Sequence, residues 1–369
     1  MRPLADESID LVVTSPPYPM IEMWDESFTT NDPRIAGLLE VADGAGAFAR
    51  MHEQLDAVWR ECLRVLRPGA FVCINIGDAT RTLGGSFRLY SNHARVVTGL
   101  ESLGMRSLPL VLWRKQTNAP NKFMGSGMLP AGAYVTLEHE YILIFRKGDK
   151  RLFDGDGAAR RRASAIFWEE RNQWFSDVWD FKGARQPLPA NEARSRSAAF
   201  PLELAHRLVN MYSLQGDCVL DPFLGTGTTA AACALNGRNS VGFEQSSELA
   251  PIIRETLAAM NRTANRLVAE RLAAHRRFLR EYEERRGEPP RHTNTACGFP
   301  VVTGQERELQ LLGLTDLRED KIEDDEDEDA PRCDTLRFTA AHTPVDAEFE
   351  ARALFDAEDG QRSLFDLDR

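Results

Sequence analysis

Residues 221–229 read DPFLGTGTT, a glycine-rich stretch that begins with an acidic residue. It lies between a short apolar strand pattern and a helical pattern. Gly225 and Gly227 allow the backbone to approach a ligand closely, and the first turn of the following helix offers free N–H groups to an anion. Gly225, Gly227 and Ala230 also satisfy the loose G-x-G-x-x-A dinucleotide pattern. Taken alone, the stretch predicts a strand-to-helix turn that binds a nucleotide-like cofactor.

Strand and helix patterns alternate on both sides of this turn. Apolar, β-branched runs predict strands at residues 9–14, 70–76, 108–113, 141–145, 218–221 and 240–243. Helical spacing of apolar residues predicts helices at residues 47–66, 89–103 and 201–212, a helix ending at Leu235, and a helix from 247 to 286. Strands that alternate with helices indicate an α/β fold with a largely parallel sheet.

Composition excludes several classes of protein. No run in the 369 residues approaches the 18 apolar residues of a transmembrane helix, and the acidic N-terminus has no signal-peptide pattern, so we expect a cytoplasmic protein. The six cysteines form no CxxC pair, which argues against a disulfide framework and a zinc site. The net charge of −11 comes from the end of the chain, because residues 319–369 contain 18 acidic and six basic residues. The nearly neutral remainder is compatible with nucleic-acid binding through a local basic face.

A second candidate site is Thr14-Ser15-Pro16-Pro17-Tyr18, directly after the first predicted strand. The two prolines fix the backbone and remove N–H donors, so the nearby carbonyls are rigid acceptors. Tyr18 adds a flat face for stacking. This combination suits the exocyclic amino group of a base that has left its stack. The alternative interpretation of the stretch alone is a proline turn at a strand end.

The two motifs in this order, followed by Gly242-Phe243-Glu244 after the next strand, resemble the S-adenosylmethionine-dependent DNA amino-methyltransferases. Because TSPPY precedes the glycine-rich turn, the chain is similar to the permuted beta group of that family over residues 9–260. The resemblance implies a Rossmann-like methyltransferase sheet with circularly permuted motif order. It also implies that double-stranded DNA is the substrate and S-adenosyl-L-methionine is the cofactor.

The resemblance assigns roles to individual residues. The cofactor-binding residues would be Asp221, Phe223, Gly225, Gly227, Thr228, Thr229 and Glu244, with Glu244 on the ribose hydroxyls. The catalytic residues would be Ser15, Pro16, Pro17 and Tyr18. Ser15 and the Pro16 carbonyl would accept hydrogen bonds from the target amino group, while Tyr18 stacks on the flipped base. The methyl group is already activated in the donor, so direct in-line transfer requires no metal and no covalent nucleophile.

The form of the TSPPY stretch also bears on the target base. In this family Ser before the two prolines is usual for cytosine-N4 enzymes, whereas adenine-N6 enzymes more often have Asp or Asn. We therefore expect transfer to N4 of cytosine, with N6 of adenine as the alternative. Residues 18–25 and 121–130 are similar to archaeal N4-cytosine enzymes of the CTAG type.

The chain organisation follows from these motifs. Residues 1–148 would form the catalytic half of the methyltransferase domain and residues 200–290 its cofactor-binding half. Residues 149–199, rich in arginine and containing Trp168, Trp174 and Trp179, would form a target-recognition region. Residues 291–369 are predicted to be an acidic, largely disordered tail. The tail segment Gln361–Phe365 resembles a sliding-clamp-binding peptide.

Other interpretations of the sequence are open. The substrate of the same chemistry could be RNA or a protein amide, although Ser15 and the Arg/Trp segment favour DNA. Family members usually carry a strand ending in Gly-Asp before TSPPY, and Met1 follows that point. Either the start of the sequence is drawn too late, or a later part of the chain supplies the adenine-side wall of the cofactor pocket; without one of these the wall would be missing. This feature supports a non-catalytic DNA- or clamp-binding relic, which cofactor binding by calorimetry would separate from an enzyme. A nicotinamide dehydrogenase is disfavoured because TSPPY has no role in hydride transfer.

Overall fold

The computed structural model describes residues 1, 3–115, 124–125, 129–183, 200–320, 335–346 and 349. This part of the chain forms two compact units. The first takes its described residues from Met1–Arg151 and Ser176–Pro201, and the second from Leu152–Phe175 and Leu202–Leu367. No described helix combines the length and apolar composition needed to cross a bilayer.

The first unit is built on a mixed sheet. The strands of the sheet in this unit are β1 (Ile9–Thr14), β2 (Leu66–Ile76), β5 (Met105–Arg114), β8 (His139–Lys147) and β9 (Val178–Asp180). Two separate hairpins are formed by β3 (Ala79–Leu83) with β4 (Ser86–Tyr90) and by β6 (Met124–Gly125) with β7 (Ala133–Tyr134). The helices of this unit are α1 (Asp25–Asn31), α2 (Arg34–Glu40), α3 (Gly44–Val65) and α4 (Asn92–Ser102). β1 pairs in parallel with β2, and β5 pairs in parallel with β9. β8 lies between β2 and β5 and is antiparallel to both.

The strand order brings the candidate catalytic residues to one edge of this sheet. All six residues of β1 are buried, as expected for a strand that is covered on both faces. Because β1 and β2 are parallel, the TSPPY stretch after β1 and residues 77–78 after β2 leave the same edge. β8 runs the other way, so it begins at that edge with His139 and Glu140.

The long helix of the first unit follows its sequence pattern closely. The Asp43 carboxylate caps α3 by accepting a hydrogen bond of 2.9 Å from the Gly46 amide. Met51, Leu55 and Trp59 lie on its buried face, at the four-residue spacing of one helix side. The buried apolar face accounts for the stability of the helix in this position.

The second unit contains α5 (Gly155–Ala163), α6 (Trp168–Trp174), α7 (Leu202–Tyr212), α8 (Thr228–Leu235) and α9 (Ala250–Arg286). Its strands are β10 (Cys218–Asp221), β11 (Asn239–Gly242), β12 (His292–Thr293), β13 (Pro300–Val301), β14 (Leu312–Glu319) and β15 (Phe338–Pro344). β10 and β11 are parallel, whereas β12 with β13 and β14 with β15 form antiparallel pairs. The α/β fold predicted from the alternation of elements is therefore confirmed, with β8 as an antiparallel exception to the parallel arrangement.

Two sequence-based expectations require correction. The helix predicted from residue 89 begins at Asn92, because residues 79–90 form the β3–β4 hairpin. The sequence contains the signal for this hairpin, since Gly84-Gly85 separates two alternating segments. The disorder predicted for residues 291–369 is wrong for residues 291–320 and 335–346, where Leu314, Leu317 and Val345 join a core cluster with residues of α9. The clamp-like segment Gln361–Phe365 lies outside the described residues.

The described residues of the predicted target-recognition segment, 149–199, are divided between the two units. α5 and α6 belong to the second unit, and β9 extends the sheet of the first. Trp174 and Trp179 are buried, whereas Trp168 is 38% exposed. Two of the three tryptophans therefore stabilise cores, and the assignment of residues 149–199 to target recognition stays a prediction.

Candidate active site

The TSPPY stretch borders a cavity in the first unit. The cavity has a volume of about 240 Å³, and Pro16, Tyr18 and Trp24 contribute to its wall. The other lining residues are Ile21, Met23, Gly77, Asp78, Lys115, Leu137, Glu138, His139 and Glu140. Aromatic side chains and hydrogen-bonding groups therefore face the same space, which is the composition of a site for a planar polar ligand.

A hydrogen-bond network connects TSPPY to the start of β8. The Ser15 Oγ lies 3.2 Å from the Tyr18 Oη, and Tyr18 donates a 3.0 Å hydrogen bond to the Glu140 Oε2. Asn75 Nδ2 donates to the Tyr18 Oη at 2.9 Å and to the Glu140 Oε2 at 2.6 Å. Lys115 donates to the other oxygen, Oε1, of Glu140. The structure thus joins the predicted Ser15 and Tyr18 to three residues that sequence reasoning missed.

The Tyr18 hydroxyl is held in its neutral form. Burial raises the pKa of Tyr18 well above its ordinary value of 10.0, and the negative charge of Glu140 raises it further. The hydroxyl therefore remains a hydrogen-bond donor at neutral pH. The ring, which is partly exposed, faces the cavity without a formal charge.

A buried pair braces two of the loops that line the cavity. Asn92 Nδ2 donates to the carbonyl oxygens of Pro19 at 3.1 Å and Gly77 at 3.0 Å. The Asn92 Oδ1 lies 3.0 Å from His52 Nε2. Burial lowers the pKa of His52 to about 4, so the ring is neutral and donates through Nε2. Asn92 thereby fixes the loop after TSPPY against the loop after β2.

The missed residues left weak signals in the sequence. Asn75 is a single amide within the apolar run of β2, and buried polar side chains of this kind are generally hydrogen-bonded. Glu140 follows Glu138-His139 immediately before the apolar part of β8. Neither signal identifies a partner, because the contact depends on the pairing of β2 with β8.

The glycine-rich turn lies in the second unit, between β10 and α8. Asp221 is buried at the end of β10, where it accepts a 3.1 Å hydrogen bond from the Phe223 amide. Its second oxygen accepts a 2.6 Å hydrogen bond from the Thr229 hydroxyl. Gly225 and Gly227 have φ angles of 54° and 87°, a region that favours glycine. Thr229 is therefore committed to holding Asp221, and the helix begins at Thr228, as predicted.

Glu244 closes this turn against the end of β11. Its Oε2 accepts a 2.8 Å hydrogen bond from the Gly225 amide, and its Oε1 accepts one of 2.9 Å from the Ser246 amide. An ionised carboxylate has further lone pairs on both oxygens, so it retains capacity for two hydroxyl donors. The structure brings together all the predicted cofactor residues, namely Asp221, Phe223, Gly225, Gly227, Thr228, Thr229 and Glu244.

The turn fits an adenosyl cofactor in shape and in chemistry. A Cβ atom placed on Gly225 would meet nothing closer than the Phe223 carbonyl oxygen at 3.9 Å, so open space lies beside the backbone. Glu244 offers the acceptor that paired ribose hydroxyls require, at the strand end where this acidic residue is expected.

Comparison with known proteins decides the family. Residues 9–255 match the family of DNA methylases that modify N6 or N4 amino groups. The chain belongs to this DNA methylase family. The methylase is 50% identical over 314 residues to the type II methyltransferase M.MthZI of Methanothermobacter thermautotrophicus, with 84% of this chain and 87% of the relative covered. It is 48% identical over 268 residues to the type II methyltransferase M.MjaI of Methanocaldococcus jannaschii, with 70% of this chain and 88% of the relative covered.

A solved structure supports the same assignment. The methylase resembles a putative DNA modification methylase from Thermus thermophilus that was solved in complex with S-adenosyl-L-methionine, at 32% identity and a TM-score of 0.52. The similarity covers 68% of this chain and 86% of the other. The predicted family and the predicted cofactor, S-adenosyl-L-methionine, are confirmed. The protein is a DNA methyltransferase of the N4/N6 family.

Proposed function

We propose that this methylase transfers the methyl group of S-adenosyl-L-methionine to N4 of cytosine in a short duplex target. The cavity beside TSPPY carries this proposal. Pro16, Tyr18 and Trp24 line it, and Tyr18 and Trp24 would provide flat faces for the ring. The Pro16 carbonyl and Ser15, whose Oγ lies 3.2 Å from the Tyr18 Oη, would accept hydrogen bonds from the amino group. Such a cavity suits a base that has been flipped out of the duplex.

The second unit supplies the residues that would hold the donor. The residues of the turn would hold the cofactor, and Glu244 would accept hydrogen bonds from the ribose hydroxyls. When bound, S-adenosyl-L-methionine supplies a methyl group on a sulfonium sulfur, which the amino nitrogen accepts by direct in-line displacement. The open backbone at Gly225 supports this assignment.

The acceptor groups have a catalytic consequence. The amino nitrogen gains positive charge as it forms a bond to carbon, and its N–H groups become stronger donors. Acceptors fixed at Ser15 and Pro16 therefore stabilise the transition state more than the ground state. The cavity wall replaces the water around the amino group, which strengthens these interactions.

Cytosine is favoured over adenine by the cavity wall as well as by Ser15. Both bases present an amino group beside a ring-nitrogen acceptor, but cytosine also has the carbonyl O2 on the same edge. Lys115 places an ammonium group in the cavity wall, and this donor suits a carbonyl oxygen. Transfer to N6 of adenine is the alternative function within the same chemistry.

Nucleoside mass spectrometry tests the proposal. Unmethylated duplex DNA is incubated with the protein and isotopically labelled S-adenosyl-L-methionine, and the nucleosides are analysed after digestion. Label in N4-methylcytosine is the expected result, and label in N6-methyladenine would show that the assigned base is wrong. Absence of label in both would contradict the proposed reaction. Sequencing the methylated sites then tests the CTAG target, and matched RNA serves as the competing substrate.

A further inference from the structure

We infer that Glu140 is a positioning residue that acts through Tyr18 to fix the Ser15 hydroxyl oxygen as an acceptor for the target amino group. The inference rests on the proposed function, because it assumes that Ser15 receives the amino group. It concerns the direction of the hydrogen bonds in the network and not only their presence.

The first step concerns the single proton of the Tyr18 hydroxyl. Two acceptors lie within reach of it, the Glu140 Oε2 at 3.0 Å and the Ser15 Oγ at 3.2 Å. A carboxylate is a stronger and charge-assisted acceptor, and here it is also the nearer one. Tyr18 therefore donates to Glu140.

The second step fixes the proton of Ser15. Because the Tyr18 proton points to Glu140, the contact between Ser15 and Tyr18 is a hydrogen bond only if Ser15 donates. A serine hydroxyl has one proton and two lone pairs. Once that proton is directed to Tyr18, Ser15 has only lone pairs left for any other group, as an approaching N–H group requires.

The third step concerns the orientation of the carboxylate. Lys115 donates to its Oε1, while Asn75 Nδ2 donates to its Oε2 at 2.6 Å. The Glu140 side chain is only 12% exposed, so it has little freedom to turn away. These donors keep one carboxylate oxygen directed at Tyr18.

The variant Glu140→Gln would reverse the network with almost no change in shape. Lys115 can only donate, so it holds the amide oxygen of the glutamine and directs the NH₂ group at Tyr18. Asn75, which donates to the same position of Glu140, must turn its amide so that its oxygen accepts from this NH₂ group. An NH₂ donor at that position sends the Tyr18 proton to the Ser15 oxygen. The acceptor that the target amino group needs is then occupied.

A double-mutant cycle tests the inference. The rate constant of single-turnover methyl transfer to DNA is measured at saturating cofactor for the unchanged protein, Glu140→Gln, Ser15→Ala and the double variant. We expect Glu140→Gln to lower the rate constant roughly tenfold or more, which corresponds to one redirected hydrogen bond. Cofactor affinity by calorimetry should change by less than about twofold. In the Ser15→Ala background the same substitution should lower the rate less than about twofold.

Three comparisons complete the experiment. Glu53→Gln removes the same charge from an exposed residue of α3 and should leave the rate unchanged. Tyr18→Phe removes only the linking hydroxyl, so Glu140→Gln should have almost no further effect in that background. If Glu140→Gln does not fold, Tyr18→Phe measured with and without Ser15→Ala gives the same coupling.

The outcomes separate this inference from the proposed function. Equal effects of Glu140→Gln with and without the Ser15→Ala substitution would overturn the inference while the unchanged protein still methylates DNA. No transfer by the unchanged protein would instead overturn the proposed function, together with the inference that depends on it.

Discussion

The substitution Glu244→Gln separates a structural role of this residue from a role in cofactor binding. Each carboxylate oxygen of Glu244 accepts one backbone N–H group, from Gly225 on one side and Ser246 on the other. A glutamine has only one oxygen, so its NH₂ group would face one of these N–H donors. The turn after β10 and the loop after β11 would lose one of the two bonds that join them through this side chain.

The magnitude follows from the number of bonds lost. One hydrogen bond to a charged group is worth about 1.5–3 kcal/mol, and Glu244 is half-buried, so we expect the free energy of unfolding to fall by about 1–2 kcal/mol. If Glu244 also holds the ribose, the variant loses one further charge-assisted bond to the cofactor. The dissociation constant of S-adenosyl-L-methionine should then rise about tenfold to a hundredfold.

Isothermal titration calorimetry measures the affinity, and urea unfolding measures the stability. Glu248→Gln is the matched control, because Glu248 is an exposed carboxylate of the same unit and should change neither quantity. A variant with lowered stability but unchanged cofactor affinity would refute the ribose assignment and leave Glu244 as a loop brace.

Three further predictions address the other parts of the site. Ser15→Ala should lower the single-turnover rate about a hundredfold with cofactor affinity nearly unchanged, because Ser15 would contact only the base; a matching loss of cofactor affinity in calorimetry would contradict this. Asp221→Ala removes the acceptor of the Phe223 amide and the Thr229 hydroxyl, so the cofactor dissociation constant should rise at least about a hundredfold; equal affinity would show the pocket assignment to be wrong. Burial lowers the pKa of His52 to about 4, so between about pH 6.5 and 4 the unfolded chain binds a proton at this residue and the folded chain does not. The free energy of unfolding should therefore fall as the pH is lowered through this range, by up to about 1.4 kcal/mol per pH unit. Glutamine at position 52 can still donate to Asn92, so His52→Gln should remove this contribution to the pH dependence of the free energy of unfolding, measured by urea unfolding at several pH values. An unchanged pH dependence would show that His52 does not cause it.

The sequence predicts those parts of the molecule that depend on residues close together in the chain. The glycine-rich turn is such a case, since its glycines, Asp221 and the start of α8 lie within a few residues, and the structure forms the turn as expected. The TSPPY stretch similarly follows the first strand directly. The long helix α9 is predicted within a few residues because its apolar spacing persists over many turns.

The failures have a different physical origin. The strands within residues 291–320 are short, and their apolar residues are buried by contact with α9. The sequence pattern alone does not show this contact, so the many acidic residues nearby led to a prediction of disorder. The β3–β4 hairpin is missed although Gly84-Gly85 marks it, and the predicted helix overlaps its last two residues, 89 and 90.

The network around Tyr18 shows why local motifs describe only part of this site. Register places Ile76 opposite Tyr141 and Asn75 opposite Ile142 in the antiparallel pair of β2 and β8, so Asn75 and Glu140 approach each other although 65 residues separate them. Nothing near TSPPY in the sequence indicates this approach, because it depends on β8 entering the sheet against the direction of β2. A motif therefore identifies the groups that would touch the base, whereas the pairing of distant strands decides whether Ser15 presents a proton or a lone pair to it. The direction of that one hydrogen bond is a property of the fold, and a substitution at Glu140 should therefore change it although Glu140 lies far from TSPPY in the sequence.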